Sequence, residues 1–232
     1  MKNILNNNIY DKYVCLLKAS LDRNSVISED TARYLFYANA IKELNLSHNE
    51  LLNIQQEISY SNTILGLKNK SNLLKTNKAG NIMSELDSFF DFGNEKSAIE
   101  FKHHREKSKN LIKKTIPHSQ YAGEVFDDIN RLSLIDKNLH RYFVYIMDNG
   151  MMDYKKNDHK CLFRKVFDMN INDTFVITQK EILNQSSTIS DEAYASFSNG
   201  AKKLSNISIT MIYKKEFSAN NTKYQVTIHE IN

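Results

Sequence analysis

The side chains of residues 190–204 have the types and the spacing of a helix that binds DNA. Ala193, Phe197, Ala201 and Leu204 follow one another at intervals of four, four and three residues and form an apolar stripe. The other side carries small, amide-bearing or cationic residues, namely Ala195, Ser198, Asn199, Lys202 and Lys203. Small, hydrogen-bonding side chains on a helix fit a major groove about 12 Å wide. The pattern predicts a recognition helix that begins at Ser190, which can cap it.

Further polar residues flank this predicted helix on both sides. Thr178-Gln179-Lys180-Glu181 is a capping box that predicts the start of a short preceding helix. After it, strands at 207–213 and 224–229 are joined by a turn at 218–222, which predicts a hairpin. The hairpin would offer lysines and asparagines to DNA phosphates. The predicted DNA-contact residues are Thr178, Gln179, Lys180, Ser190, Tyr194, Ala195, Ser198, Asn199, Lys202, Lys203, Lys214, Lys215, Asn221 and Lys223, with additional basic contacts from Lys102, Arg105, Lys109 and Lys113.

Residues that could support catalysis or metal binding do not have the required spacing. The carboxylate pairs Asp127-Asp128 and Asp191-Glu192 are adjacent in sequence, so on a helix they diverge. Neither His103-His104 nor His159-Lys160-Cys161 is accompanied by the second ligand pair that a four-ligand metal site needs. The chain has no glycine-rich phosphate loop and no Gly-x-Ser-x-Gly elbow. We therefore predict a protein that is not an enzyme and has no metal or cofactor.

The elements expected to position these residues are mostly helical. Six glycines and one proline in 232 residues favour helices over a turn-dense sandwich. The predicted helices span 9–22, 29–45, 47–65, 82–90, 95–114 and 124–148, with loops at 66–81 and 151–160. The predicted strands are 162–168, 175–177, 207–213 and 224–229. We therefore expect a mainly α fold with a small β component.

The domain boundary is predicted at the only proline, Pro117, which disfavours a helix in the residue before it. Residues 1–115 would form a helical module for assembly or partner binding, and residues 116–232 a winged helix-turn-helix. The net charge of +4 lies entirely in residues 1–115, which contain 17 Lys and Arg against 13 Asp and Glu. With only Cys15 and Cys161, no apolar signal core and no apolar run of 18 residues, a cytoplasmic location is expected.

Part of the C-terminal half resembles a known family. Leu132-Ser133-Leu134 leads a helical stretch, Thr174-Phe175-Val176-Ile177-Thr178 precedes the first short helix, and Ala193-Tyr194 lies in the second. Over residues 120–232 this is similar to the first winged-helix domain of plasmid replication initiators of the RepA/RepE type. The resemblance implies binding to repeated DNA sites and recruitment of replication proteins. The chain departs from that family because no second winged helix follows and residues 1–115 do not align with it.

Two functions follow from these observations. The first is a DNA-binding protein in replication or transcription control of a mobile genetic element. Its expected partners are double-stranded DNA and either a second copy of the chain, in a homo-oligomer such as a dimer, or a replication protein. No membrane is expected as a partner. The alternative is a non-enzymatic protein-binding or assembly factor, encoded by a phage, satellite or plasmid, that keeps a winged-helix shape without reading DNA. One positive face joining residues 102–114 with the C-terminal lysines would favour the first function, and scattered lysines would favour the second.

Overall fold

A computed structural model describes residues 4, 6–24, 26–60, 65, 85–104, 118–157, 162–178, 180–181 and 206–232. The helices are α1 (Asn7–Arg23), α2 (Glu29–Glu43), α3 (His48–Leu51), α4 (His118–Ser133), α5 (Asn149–Asn157) and α6 (Leu162–Phe167). The strands are β1 (Ile54–Ser59), β2 (Glu85–Asp91), β3 (Lys96–His104), β4 (His140–Met147), β5 (Thr174–Ile177), β6 (Ile207–Ala219) and β7 (Thr222–Ile231). Every helix in this described part is too short or too polar to span a lipid bilayer.

The strands form one seven-stranded mixed sheet in the order β1-β2-β3-β4-β7-β6-β5. β3 and β4 are parallel, and every other neighbouring pair is antiparallel. Helices α1 and α2 pack on one face of the sheet, and α4, α5 and α6 pack on the other. The mainly α fold class is therefore wrong: the protein is a mixed α/β structure with helices on both faces of a large sheet.

The helices α1 and α2 were predicted correctly because each is amphipathic. In α1 the residues that face the sheet recur at helical spacing and are Ile9, Tyr10, Tyr13, Val14, Leu17 and Leu21. Ser28 caps α2, since its hydroxyl accepts a hydrogen bond from the Thr31 amide at 3.0 Å. Phe36 of α2 lies edge-on to Tyr13 of α1 and to Phe101 of β3, with ring centroids 5.2 and 5.3 Å apart. This aromatic contact fixes both helices on the sheet.

Three segments predicted as helices are strands instead. The capping box at Ser47 starts α3, but that helix ends at Leu51 and β1 begins at Ile54. The predicted helices at 82–90 and 95–114 are replaced, over their described residues, by β2 and β3. Apolar residues four apart fit a strand as well as a helix. They lie on the same side of a strand, whose side chains repeat every two residues, and nearly on the same side of a helix, whose side chains repeat about every 3.6 residues. Pairing with neighbouring strands decided between the two.

The predicted helix 124–148 is divided into α4 and β4. Helix α4 ends at Ser133, and the run from His140 to Met147 is the central strand β4, of which seven residues are buried. A strand covered by helices on both faces has no polar side, so its sequence is a continuous apolar run without alternation. Such a run cannot be distinguished from a buried helix by periodicity.

Two predictions in the next segment were reversed. Residues 151–157 of the predicted polar connection belong to α5 (Asn149–Asn157), and residues 162–167, predicted as a strand, form α6. Leu162, Phe163, Val166 and Phe167 are all buried, and their spacing of one, four and five residues is that of a helix turn. Only two of these four residues, Leu162 and Val166, fitted the alternating pattern.

The C-terminal hairpin is present where it was predicted, with longer strands and a shorter turn than expected. Strands β6 and β7 pair from Ile209 opposite Ile231 to Ala219 opposite Thr222. Asn220 and Asn221 form the turn with φ values of +46° and +62°. Asparagine adopts such left-handed conformations more readily than other residues with a side chain, and two of them suit a two-residue hairpin. The predicted helices within 182–205 and the boundary at 115–116 lie outside the described residues.

Candidate functional site

The hairpin lysine Lys214 is held inside a network of the protein's own oxygens. Its Nζ lies 3.4 Å from Asp168 Oδ1 and within 3.3 Å of the carbonyl oxygens of Asp168 and Met169. Only 23% of its side chain is exposed. Partial burial raises the pKa of Asp168, but Lys155 and Lys214 outweigh that effect and lower it below its usual value. Lys214 therefore joins the strand β6 to the segment that follows α6.

The neighbouring Lys215 points to the opposite face of the sheet. Its Nζ lies 2.6 Å from Asp11 Oδ1 of α1, and the Tyr213 hydroxyl donates to the same oxygen at 2.9 Å. These two hydrogen bonds lower the pKa of Asp11. Both partners of the ion pair are about half exposed, and such pairs contribute about 0–1 kcal/mol. Lys215 can therefore exchange Asp11 for another anion at little cost.

The tip of the hairpin is attached to the end of α1. The Asn220 amide donates to Asp22 Oδ1 at 3.2 Å, and the Asn220 side chain donates to the Leu21 carbonyl at 2.5 Å. The side chains of Asn221 and Lys223 are exposed beside it. Because side chains alternate along a strand and Tyr224 packs toward α1, Lys223 points toward the α5 side, as Lys214 does. The hairpin lysines are thus divided between the two faces of the sheet.

The start of the predicted first short helix is described. Thr178 Oγ1 accepts a hydrogen bond from the Glu181 amide at 3.3 Å, as the capping box requires. Lys180 is exposed at this position, whereas Glu181 pairs with Lys165 of α6 at 2.8 Å. The other predicted contacts in this region lie in the parts of the chain that the structure leaves undescribed, namely Gln179, Ser190, Tyr194, Ala195, Ser198, Asn199, Lys202 and Lys203.

Lys102 is not on a basic helix at the surface. It lies on β3 and points between the sheet and α4, where its Nζ is 3.5 Å from Asp128 Oδ2 and 3.8 Å from Glu124 Oε2. Burial lowers its pKa, but Asp128, Glu29 and Glu124 outweigh burial and raise it. The additional basic contacts Arg105, Lys109 and Lys113 are not among the described residues.

Next to Lys102 the same interface contains a buried carboxyl group that the sequence pattern did not indicate. Glu100 of β3 is 3% exposed, and the Tyr60 hydroxyl lies 2.5 Å from its Oε1. Burial, together with the charges of Asp87 and Asp128, raises the pKa of Glu100 well above its usual value. Arg131 of α4 pairs with Asp128 beside it. Lys102 of β3 and Asp128 of α4 have opposite charges and belong to two packed elements. These contacts indicate a structural network that fixes α4 on the sheet.

A second buried polar group lies between β7 and the helices α5 and α6. Lys155 is 4% exposed, and its Nζ donates to Gln225 Oε1 at 2.7 Å. The same Nζ forms an ion pair with Asp168 Oδ1 at 3.2 Å. Gln225, Thr227 and His229 are each fully buried and lie on the same side of β7, since alternate residues of a strand share a face. Burial lowers the pKa of His229 to about 3. Lys155 and His229 carried no sequence signal, because each is a single polar residue within an apolar pattern.

His104, one of the two adjacent histidines considered as metal ligands, packs into the α4 side instead. Its Nδ1 lies 2.9 Å from the Tyr145 hydroxyl, its Nε2 lies 3.5 Å from Glu124, and its ring stacks on Tyr121 at 4.2 Å. Burial lowers the pKa of His104. Among the described residues, no three His, Cys, Asp or Glu side chains are placed to hold a metal ion.

The outer side of α1 and α2, away from the sheet, forms a groove of about 480 Å³. Cys15, Leu16 and Ala38 line it with apolar atoms, and Lys12, Asn39, Lys42 and Glu43 complete the lining. Beside it the ring of Tyr34 is exposed, with 68% of the residue accessible to solvent. By contrast, Tyr37, Phe89 and Phe90 are buried. This groove and Tyr34 therefore form an apolar surface that is open to a partner.

No protein-family model, no curated protein and no solved structure matches this chain.

Proposed function

We propose that this protein is a non-enzymatic protein-binding or assembly factor of a mobile genetic element. The observation that supports this most is the position of the predicted phosphate-binding lysines and the carboxylates that they contact. Lys102 and Lys214 are engaged by carboxylates within the fold, and Lys214 and Lys215 point to opposite faces of the sheet. A protein that tracks a phosphate backbone needs its cations on one face.

The number of described lysines left for phosphates is small. Of the predicted set, Lys180 and Lys223 are exposed, and Lys215 can exchange its carboxylate partner. Each phosphate contact contributes about −0.9 to the slope of log K against log salt, so three contacts predict a slope of about −3. Duplex binding through these residues is therefore weak at physiological salt. The apolar outer surface of α1 and α2 is the better-formed contact surface.

A second function, binding of double-stranded DNA in replication or transcription control, is favoured by one observation. Strand β5 is followed directly by the capped helix start at Thr178, and the β6–β7 hairpin follows later in the chain. This is the element order expected for a recognition helix between a strand and a hairpin. Residues 182–205, which would supply most base contacts, lie outside the described residues.

Fluorescence anisotropy with a labelled duplex distinguishes the two functions. The protein is titrated into the duplex at salt concentrations from 50 to about 200 mM. The assembly function predicts no binding, or weak binding with a slope no steeper than about −3. Tight binding at the highest salt with a slope of −6 or steeper would contradict it and support DNA binding.

Variants of exposed lysines make the titration specific. Lys215→Ala removes the hairpin cation that can exchange its partner, and Lys137→Ala removes an exposed cation from the loop between α4 and β4 as a matched control. Under the DNA-binding function Lys215→Ala reduces the slope by about 1, whereas Lys137→Ala does not change it. Equal behaviour of the two variants supports the assembly function.

A further inference from the structure

A stripe of four residues on the outer side of α2 has a regular order of charge and size. Asp30, Tyr34, Ala38 and Lys42 are spaced four residues apart, so they lie on one side of the helix. All four are exposed, with 80% of the Asp30 side chain and 68% of Tyr34 accessible. In sequence order the stripe is acidic, large, small and basic.

The stripe is complementary to the same stripe on a second, antiparallel copy of the helix. If a second copy of the helix lies antiparallel, with the two-fold axis at residue 36, position 34 faces position 38 and position 30 faces position 42. Tyr34 then lies against Ala38 of the second copy, where a small residue leaves room for the ring. Asp30 lies against Lys42 of the second copy, and both contacts occur twice. A two-fold interface requires one surface that is complementary to itself, and this stripe meets that condition.

The groove beside the stripe provides the space for the tyrosine ring. Its floor is formed by Leu16 and Cys15 of α1 together with Ala38, and its volume is about 480 Å³. At its rim Lys12 and Glu43 form an ion pair at 2.5 Å and neutralise each other. Lys42, which also lines the groove, is balanced by Asp30 at the other end of the stripe, so the surface as a whole has no net charge that would repel a second copy.

The charges at the two ends of the stripe are available for contacts between copies. Lys42 forms no ion pair with any described residue. Asp30 accepts from Arg33 Nη2 through Oδ1 at 2.8 Å, and a carboxylate has further lone pairs for a second donor. The acidic end lies in the first turn of α2 and the basic end in its last turn. Antiparallel helices bring such ends together.

From these observations we infer that the protein forms a two-fold dimer through antiparallel pairing of α2, with Tyr34 of each copy seated against Ala38 of the other. This inference rests on the proposed assembly function and names its partner as a second copy of the chain. The groove between α1 and α2 is then the site that receives the tyrosine.

Light scattering across a dilution series measures the expected mass of twice 27.0 kDa. Tyr34→Ala weakens the dimer by about tenfold or more, because an aromatic side chain seated in a pocket contributes most of the binding at such a contact. Lys137→Ala, on an exposed loop away from the stripe, leaves the dimer unchanged. Circular dichroism confirms that each variant retains its helix content.

Charge exchange tests the register of the two helices. Asp30→Lys places two lysines opposite each other, and Lys42→Asp places two aspartates opposite each other, so each variant alone is expected to be a monomer. A mixture of the two variants restores an acid–base contact at both ends and is expected to form a heterodimer. A dimer that persists in Tyr34→Ala and Lys42→Asp would contradict this interface.

A wild-type protein that remains a monomer at the highest concentration also overturns the dimer. That result leaves the proposed function standing if the duplex titration is negative, because the groove can then accept a different protein. A monomer that binds the duplex with a steep salt slope overturns both proposals.

Discussion

The two faces of the sheet are stabilised by different kinds of contact. On the α1–α2 face the core consists of tyrosine, phenylalanine and aliphatic side chains, and beside it the Arg33 guanidinium, which does not deprotonate in proteins, is buried and pairs with Asp87. On the α4–α6 face an apolar core of similar size also encloses ionisable side chains, namely Glu100, Lys102, His104, Asp128, Lys155 and His229. An apolar core contributes stability at every pH, whereas buried ionisable groups make stability depend on protonation. The two faces of one sheet should therefore respond differently to mutation and pH.

The largest effect is expected from truncating an aromatic residue on the α1–α2 face. Phe36→Ala removes a ring that is 1% exposed and contacts Tyr13 and Phe101. Such truncations destabilise a fold by about 3–5 kcal/mol. Urea unfolding followed by circular dichroism measures the change. Tyr34→Ala on the outer side of the same helix is the control, and at a protein concentration low enough for both proteins to be monomers it should change the free energy of unfolding by less than about 0.5 kcal/mol.

Removing the buried lysine from the other face should have a somewhat smaller effect. Lys155→Met leaves the Gln225 side-chain oxygen buried without its donor and leaves Asp168 with Lys214. Breaking such a buried contact destabilises the fold by about 3 kcal/mol. Lys156→Met, at the adjacent and 60% exposed position of α5, is the matched control. Equal unfolding curves for the two variants would show that the Lys155 contacts do not stabilise this face.

Acid should weaken the α4–α6 face through His229. The folded pKa of about 3 lies below the ordinary value of about 6.5, so the unfolded chain binds a proton that the folded chain excludes. Stability from this group is therefore present above pH 6.5 and is lost progressively toward pH 3. Between pH 6.5 and 4.5 the loss is about 2–3 kcal/mol.

His229→Leu separates this contribution from other titrations. The variant should lose less stability than the wild type between pH 6.5 and 4.5, as measured by urea unfolding at each pH. His104, whose pKa is also lowered by burial, adds a slope of the same sign in both proteins. Parallel pH profiles for the two proteins would show that His229 is protonated in the folded state.

The smallest effect is expected at the ion pair between α1 and the hairpin. Asp11→Asn removes the charge that pairs with Lys215, in a contact that is about half exposed on both sides. The loss should be no more than about 1 kcal/mol and should disappear in high salt. Thermal unfolding at 0.05 and 1 M salt measures it. A loss that persists in 1 M salt would indicate that Asp11 acts through the Tyr213 hydrogen bond instead.

The amino-acid sequence alone determined the elements whose signals are local. The helices α1 and α2 follow from their apolar spacing, and the β6–β7 hairpin follows from two alternating strands around an asparagine turn. The capping box at Thr178 likewise specifies its own hydrogen bond within four residues. Each of these signals is complete within one segment, so no distant contact was needed to interpret it.

Only the tertiary structure decided which segments form the sheet and which carboxylates the lysines contact. The central strand β4 is covered on both faces, which removed the alternation that would have identified it. Lys214 and Lys215 are adjacent in sequence but point to opposite faces, where they meet Asp168 and Asp11. The charge that a lysine presents to a partner depends on carboxylates that lie up to about two hundred residues away in the chain. The hydrophobic periodicity of one segment gives no information about such distant neighbours.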